Sequence, residues 1–227
     1  WPSSSRAAGG TGQAFMVAVG DPIGTGLVKS LARPGGNATG LTSMTPELEG
    51  KRLELIKEAF VGVARLAVLW NPNNAYQVRD EREVQAAAQA LHLPVISLPA
   101  RTVAELDAAL AKIRQEKADA VLVLADRLFL HNRSRIVDFV AAHRLPMMSA
   151  YRELAEAGGV MSFGPSYALM HRQAARFVDK ILKGANPADL PIEQPAKFEL
   201  ILNLKSAKAL GMEIPHAILL RADEVIE

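Results

Sequence analysis

The chain has 227 residues, 49% of them hydrophobic and 22% charged, with a formal net charge of +2 and no cysteine. That length can bury a good core, in one domain or two small ones. The balanced charge and the 5% aromatic content argue against a nucleic-acid surface, and the lack of thiols excludes disulfides, thiolate catalysis and thiolate metal sites.

Residues 1–12 are rich in Ser, Gly and Ala and lack an apolar h-region, so they read as a disordered leader rather than a signal peptide. No apolar run reaches the length needed to span a bilayer. A strand is predicted at Ala14–Val19, followed by the stretch GDPIGTGLVKSLARPGGNATGLT, which holds six glycines and two prolines. A Gly-rich turn leaving a buried strand lets backbone approach a ligand closely. A short helix is expected at 27–32 and a brief strand at 38–41. Thr45 reads as an N-cap with Pro46 at the first helical position, and Leu48, Leu55, Ile56, Ala59 and Phe60 share one face of that helix.

Strands and helices then alternate. Strands are expected at 65–70, 94–98, 119–124, 145–149 and 160–163, with helices at 75–91, 102–115, 132–143, 153–157 and 166–183. Thr102 and Glu105 form a capping-box pattern, and Ser166 reads as the cap of the last helix, closed by Gly184. The rhythm breaks at the Pro-rich segment 185–195, beyond which a strand at 197–202 and a helix at 204–210 are expected. This order argues for parallel βαβ units, whose ligand loops gather at the carboxyl ends of the strands. The loops at Gly20, Asn71, Asp126, Ala150 and Gly164 all leave such ends.

Catalytic patterns fail one by one. A phosphate loop needs Gly before its Lys-Ser pair, but Val28 precedes Lys29 and Ser30. The dinucleotide fingerprint needs a third glycine where Lys29 stands. A nucleophile elbow at Ser162 needs Gly two residues before it, and Val160 occupies that place. The five histidines show no ligand spacing, so no metal site is predicted. The acids Asp21, Asp126 and Glu153 are isolated from one another. Asp126-Arg127 offers both signs at one loop, which suits a zwitterion such as an amino acid and equally suits a solvated turn. Trp70, Tyr76, Phe129, Tyr151 and Phe163 lie at or just past strand ends, hinting at an apolar ligand wall.

The stretch from Gly20 to Thr42, with KRLELIKEA, RLAVLWNPNN, ADAVLVLADRLFL, HRLPMMSAYRELAEAGGVMSFGP, VDKILKGANPADLPIEQPAKFELILNLKSAKALG and LLRADEVIE, resembles the ABC-transporter substrate-binding proteins related to tryptophan-binding lipoproteins. The resemblance runs from Phe15 to Glu227. It implies an α/β, periplasmic-binding-protein type I-like fold with two doubly wound parallel-sheet lobes, the first incomplete. On that pattern residues 13–62 and 192–227 form the partial first lobe and 63–191 the second. Hinges are expected at 41–44, near Ser166 and at 191–195. The opening βα units and the lipoprotein signal of such proteins have no counterpart here, which reads as N-terminal truncation. The exposed edge of the truncated lobe would then invite homo-oligomers.

The function implied is the non-catalytic solute-binding component of an ABC importer, holding a small organic solute such as an amino acid in an interlobe cleft. The ligand-binding residues carried over are Asp21, Pro22, Thr42, Asn71, Asn74, Asp126, Tyr151 and Arg152, with Tyr151 stacking on the solute. No cofactor or metal is expected. The partners implied are the solute and a membrane permease, with no nucleic acid, and the full-length protein would be periplasmic. Two other classes stay open. A ligand-sensing domain of a transcription regulator shares the fold class but needs a helix-turn-helix, for which 1–12 is too short. An α/β enzyme would use nucleotides at the Gly-rich turn.

Overall fold

The computed structural model describes residues 14–227; the leader expected at 1–12 lies outside the described residues. The chain divides into two compact units. The smaller holds the residues through Thr45 together with Pro165–Phe198, and the larger holds Pro46–Gly164 and Glu199–Glu227. The chain therefore passes from one unit to the other three times, at 45/46, 164/165 and 198/199.

The larger unit is a doubly wound sheet. Its strands are β3 (Leu66–Trp70), β4 (Val95–Pro99), β5 (Ala120–Val123), β6 (Met147–Ser149), β7 (Met161–Pro165), β8 (Phe198–Asn203) and β9 (Glu224–Ile226), in the order β4-β3-β5-β6-β7-β8-β9. β3 pairs in parallel with β4 and β5, β5 with β6, and β6 with β7. The strands are apolar on both faces because helices cover both. Leu66, Val68, Ala120 and Leu122 face α1 (Thr45–Ala59) and α2 (Gln77–Ala90), while Ala67, Leu69, Val121 and Val123 face α3 (Val103–Gln115), α5 (Arg133–Ala142) and α6 (Arg152–Ala157). A two-residue period inside an unbroken apolar run thus feeds two separate cores.

Residues 46–62 were expected with the first lobe, yet they pack in the larger unit. Leu53, Leu55, Ile56, Ala59 and Phe60 join the core beneath β3 and β5. Residues 165–191 were expected with the second lobe and belong to the smaller unit, because Met170, Ala174 and Phe177 of α7 (Tyr167–Leu182) pack on Leu41 and Phe15. Residues 199–227 were expected with the first lobe and belong to the larger unit, where Leu200 and Leu202 join its core.

Among the described residues, the smaller unit holds a two-stranded sheet, β1 (Ala14–Val19) and β2 (Ala38–Thr42), paired in parallel with Phe15 opposite Thr39. The Pro-rich segment continues this layer. Glu193 donates its N–H to Gly40 O at 3.0 Å and accepts from Thr42 N at 3.0 Å, and Thr39 Oγ1 donates to Leu190 O at 2.7 Å.

Several local expectations are corrected. No helix forms at 27–32. Gly26 takes φ +71°, Leu27 and Val28 donate to Pro22 O, and Lys29 turns to Pro34 O, so the segment is a run of turns. Thr45 and Ser166 do not cap with their side chains: Thr45 Oγ1 is buried with no hydrogen-bond partner among the described residues, and Ser166 makes no cap bond. Thr102 does cap α3, accepting from Glu105 N at 3.2 Å, but Glu105 returns its bond to Arg101 N, one residue further out. The single helix expected at 132–143 is preceded by a further short one, α4 (Arg127–His131). Other short elements not anticipated are a 3-10 turn at Pro187–Asp189, α9 (His216–Leu219) and β9; the last two follow α8 (Leu204–Leu210), which begins at its Asn203 cap. Among the described residues no helix is long and apolar enough to cross a membrane.

Candidate functional site

Parallel pairing fixes where the loops of the larger unit fall. Leu69 stands opposite Val123 in the β3–β5 register. The residues just past each strand, Asn71 and Asp126, therefore arrive at the same edge. Asn71 Nδ2 donates to Asp126 Oδ1 at 3.1 Å and Asn74 Nδ2 to Asp126 Oδ2 at 2.8 Å. Leu128 N donates to Asp126 Oδ1 at 2.8 Å, so the same carboxylate caps α4. A residue between two strands and a helix start thus orders both loops with one side chain.

Gln77 completes this edge. Its side chain accepts from Asn71 N at 2.5 Å and donates to Ala125 O at 2.6 Å, bridging the ends of β3 and β5. The Tyr76 hydroxyl lies 3.4 Å from the same carbonyl, and burial pushes its pKa up to about 12. That hydroxyl stays protonated throughout the physiological range. The edge is therefore amide- and hydroxyl-rich around one buried carboxylate whose hydrogen-bond donors are neutral groups. Such a carboxylate keeps its negative potential.

Further along the sheet, Ser149 Oγ donates to Tyr151 O at 2.6 Å where β6 turns into α6. Tyr151 packs against the core formed with α3 and α5. The Arg152 guanidinium reaches carboxylates on three elements: Glu156 at 2.8 Å, Glu224 at 3.0 Å and Glu199 at 4.0 Å. The hydrogen bond to Glu156 is the first cause of a pKa raised above its ordinary value. Arg152 is half-exposed and occupied by acids of this chain.

The aromatic wall expected from the sequence is mostly core. Phe129 is fully buried beside Val123 and Leu154, and Trp70 and Phe163 pack against the opposite core. Trp70 Nε1 donates to Ser97 Oγ at 2.9 Å.

In the smaller unit, Asp21 is buried, and its carboxylate accepts from Gly24 N at 2.8 Å. A Cβ on Gly24 would stand 2.0 Å from Asp21 Oδ2, so a larger residue there would push the Asp21 carboxylate out of its bond to Gly24 N. Asp21 O also accepts from Thr25 Oγ1 at 2.7 Å. Pro22 O receives the Leu27 and Val28 N–H groups. Thr42 Oγ1 donates to Val19 O at 2.9 Å and accepts from Met44 N at 3.2 Å, holding β1 and β2 together where they end. A surface hollow of about 440 Å³ in this unit is lined by Ala32, Arg33, Gly35, Ala188 and Asp189, none of them a site residue expected from the sequence.

Residues 13–226 match the family described as ABC transporter substrate binding protein. The chain belongs to that family. It is 26% identical over 199 residues to the tyrosine-binding protein of Clostridioides difficile (strain R20291); the match covers 88% of this chain and 57% of that relative. A solved domain from Streptococcus pneumonia in complex with L-Trp is 28% identical, with a TM-score of 0.87 over 94% of this chain and 72% of that one. A conserved domain protein from Vibrio cholerae is 28% identical with a TM-score of 0.90, over 98% and 75%.

Two unexpected residues stand out beside the loops of the larger unit. Glu49 and Arg52 on α1 are fully buried and bonded to each other. Arg52 Nε also donates to Phe163 O at 2.8 Å, at the end of β7. Burial pushes the Glu49 carboxyl up to about 7, against the opposing pull of Arg52. Their signal in the sequence is positional: Glu49, Arg52, Ile56 and Ala59 lie three or four apart and continue one inward row.

Proposed function

We propose that this protein is the solute-binding component of an ABC importer, holding a small organic solute of the amino-acid class between two lobes and passing it unaltered to a membrane permease. The observation that carries this reading is the edge around Asp126. A buried carboxylate held by two asparagine amides and a backbone N–H is built to accept an ammonium group, while the neighbouring amides serve hydroxyl or carbonyl atoms of the solute. Asn71, Asn74, Asp126 and Tyr151 would contact it from the larger unit, and Asp21, Pro22 and Thr42 from the smaller. Arg152 would act by fixing the start of α6, since its own charge is matched by Glu156 and Glu224.

Two relatives support the ligand class. One is called a tyrosine-binding protein and another was solved with L-Trp. The family points to an extracytoplasmic place of work and to a permease partner. The chemistry supports binding rather than turnover: the polar groups of this edge bond one another and leave no paired nucleophile and base among those described.

Native mass spectrometry of freshly purified protein tests the reading. A retained mass matching an amino acid, released on denaturation, is expected. Retention of a nucleotide instead would contradict it.

A further inference from the structure

We propose that Arg52 is a ligand-contacting residue of the larger unit, its Nη2 group receiving the carboxylate of the bound solute, with Glu49 as the positioning residue that holds the guanidinium in place. The inference rests on the amino-acid reading above and adds a residue to it.

The guanidinium has three nitrogens to account for. Nε donates to Phe163 O at 2.8 Å, and Nη1 is bonded to Glu49 Oε1. Nη2 is fully buried and has no hydrogen-bond partner among the described residues, and the same holds for Glu49 Oε2. A buried charged donor left without an acceptor is costly, and a buried ion pair is seldom kept for stability alone. The orphan donor is cationic, and the group that matches it is a carboxylate; the solute's ammonium is left to Asp126.

Position supports the same conclusion. Nη2 lies 3.7 Å from where a Cβ of Gly164 would stand, and that Cβ would also meet Ala150 O at 2.3 Å. Ala150 and Gly164 are at the carboxyl ends of β6 and β7, and Ala150 leads directly into Tyr151. The guanidinium thus reaches the sheet edge where open α/β sheets receive ligands. Glycine at 164 lets β7 lie close against the Ala150 carbonyl at this edge. With one side of its fork held by Glu49 and Phe163 O, the remaining N–H groups have a fixed direction, which suits a planar carboxylate.

The test is isothermal titration with L-tryptophan, L-tyrosine and their carboxamides, on the natural protein, Arg52→Gln, and the double variant Glu49→Leu with Arg52→Met. The double variant removes both charges together and keeps the test open if the single one fails to fold. The natural protein is expected to bind a free acid at least tenfold more tightly than its carboxamide. In the variants that ratio should fall to about one. A ratio that stays the same, or an equal loss for both forms, overturns the role of Arg52 and leaves the amino-acid reading standing. No binding of either acid to the natural protein overturns both.

Discussion

Asn74 donates its side-chain amide to Asp126 at 2.8 Å, across 52 residues of sequence, tying the loop after β3 to the start of α4. Replacing Asp126 by Ala removes this bond, the one from Asn71 and the helix cap on Leu128 N. The expected loss is about 2–4 kcal/mol, from one cap and two bonds to a charged acceptor. Urea unfolding measures it. Asp126→Asn should recover part of the stability and none of the affinity for a cationic amine.

Glu49 gives the protein a pH signature. Its pKa rises from 4.5 to about 7 on folding, because burial outweighs the pull of Arg52. The folded state therefore holds the proton more tightly than the unfolded one. The stabilising contribution is complete below about 4.5 and is lost as pH rises through about 7. Measured as unfolding free energy against pH, the natural protein should lose stability relative to Glu49→Gln across that window. A constant difference would count against it.

The same pair predicts an asymmetry between single and double substitutions. Arg52→Ala leaves the Glu49 carboxylate buried and alone, at a cost of about 3–5 kcal/mol. Glu49→Leu with Arg52→Met replaces both charges with apolar volume and should cost far less, or even stabilise. Thermal unfolding of the three proteins checks this. A double variant as unstable as the single one would show that packing, not charge, dominates at this place.

Gly164→Ala tests the close approach of β6 and β7. The added Cβ would stand 2.3 Å from Ala150 O, which is backbone and cannot swing aside. The expected cost is about 1–3 kcal/mol of overpacking. Because the strain falls at the sheet edge, ligand affinity should drop as well. Gly36, with open space around its would-be Cβ, is the control and should tolerate Ala.

Much of the fold was legible because its strands are short apolar runs bounded by polar turn residues, as LAVLW before Asn71 and AVLV between Asp119 and Asp126 show. Parallel order brings the loops at Asn71 and Asp126 to one edge, while the choice of Asn71, Asn74 and Asp126 as contact residues came from the family resemblance. The helix expected at 27–32 failed because Gly26 and Pro34 impose turns that outweigh the helical preference of Leu27, Lys29 and Leu31. Gln77, Glu49 and Arg52 were missed for another reason. A polar residue on an amphipathic helix reads as solvent-facing, and a Glu-Arg pair three apart is an ordinary surface pattern. Only the packing of α1 against the end of β7 shows that this pair is inside. The aromatic residues misled in the opposite direction, since position past a strand end does not tell a wall from a core.

The most direct measurement is calorimetric titration of the purified protein with the twenty common amino acids, repeated with Asp126→Ala. Saturable one-to-one binding of at least one of them, lost in the variant, is the expected result. Absence of any binding, or chemical change of an amino acid during the titration, would contradict the account.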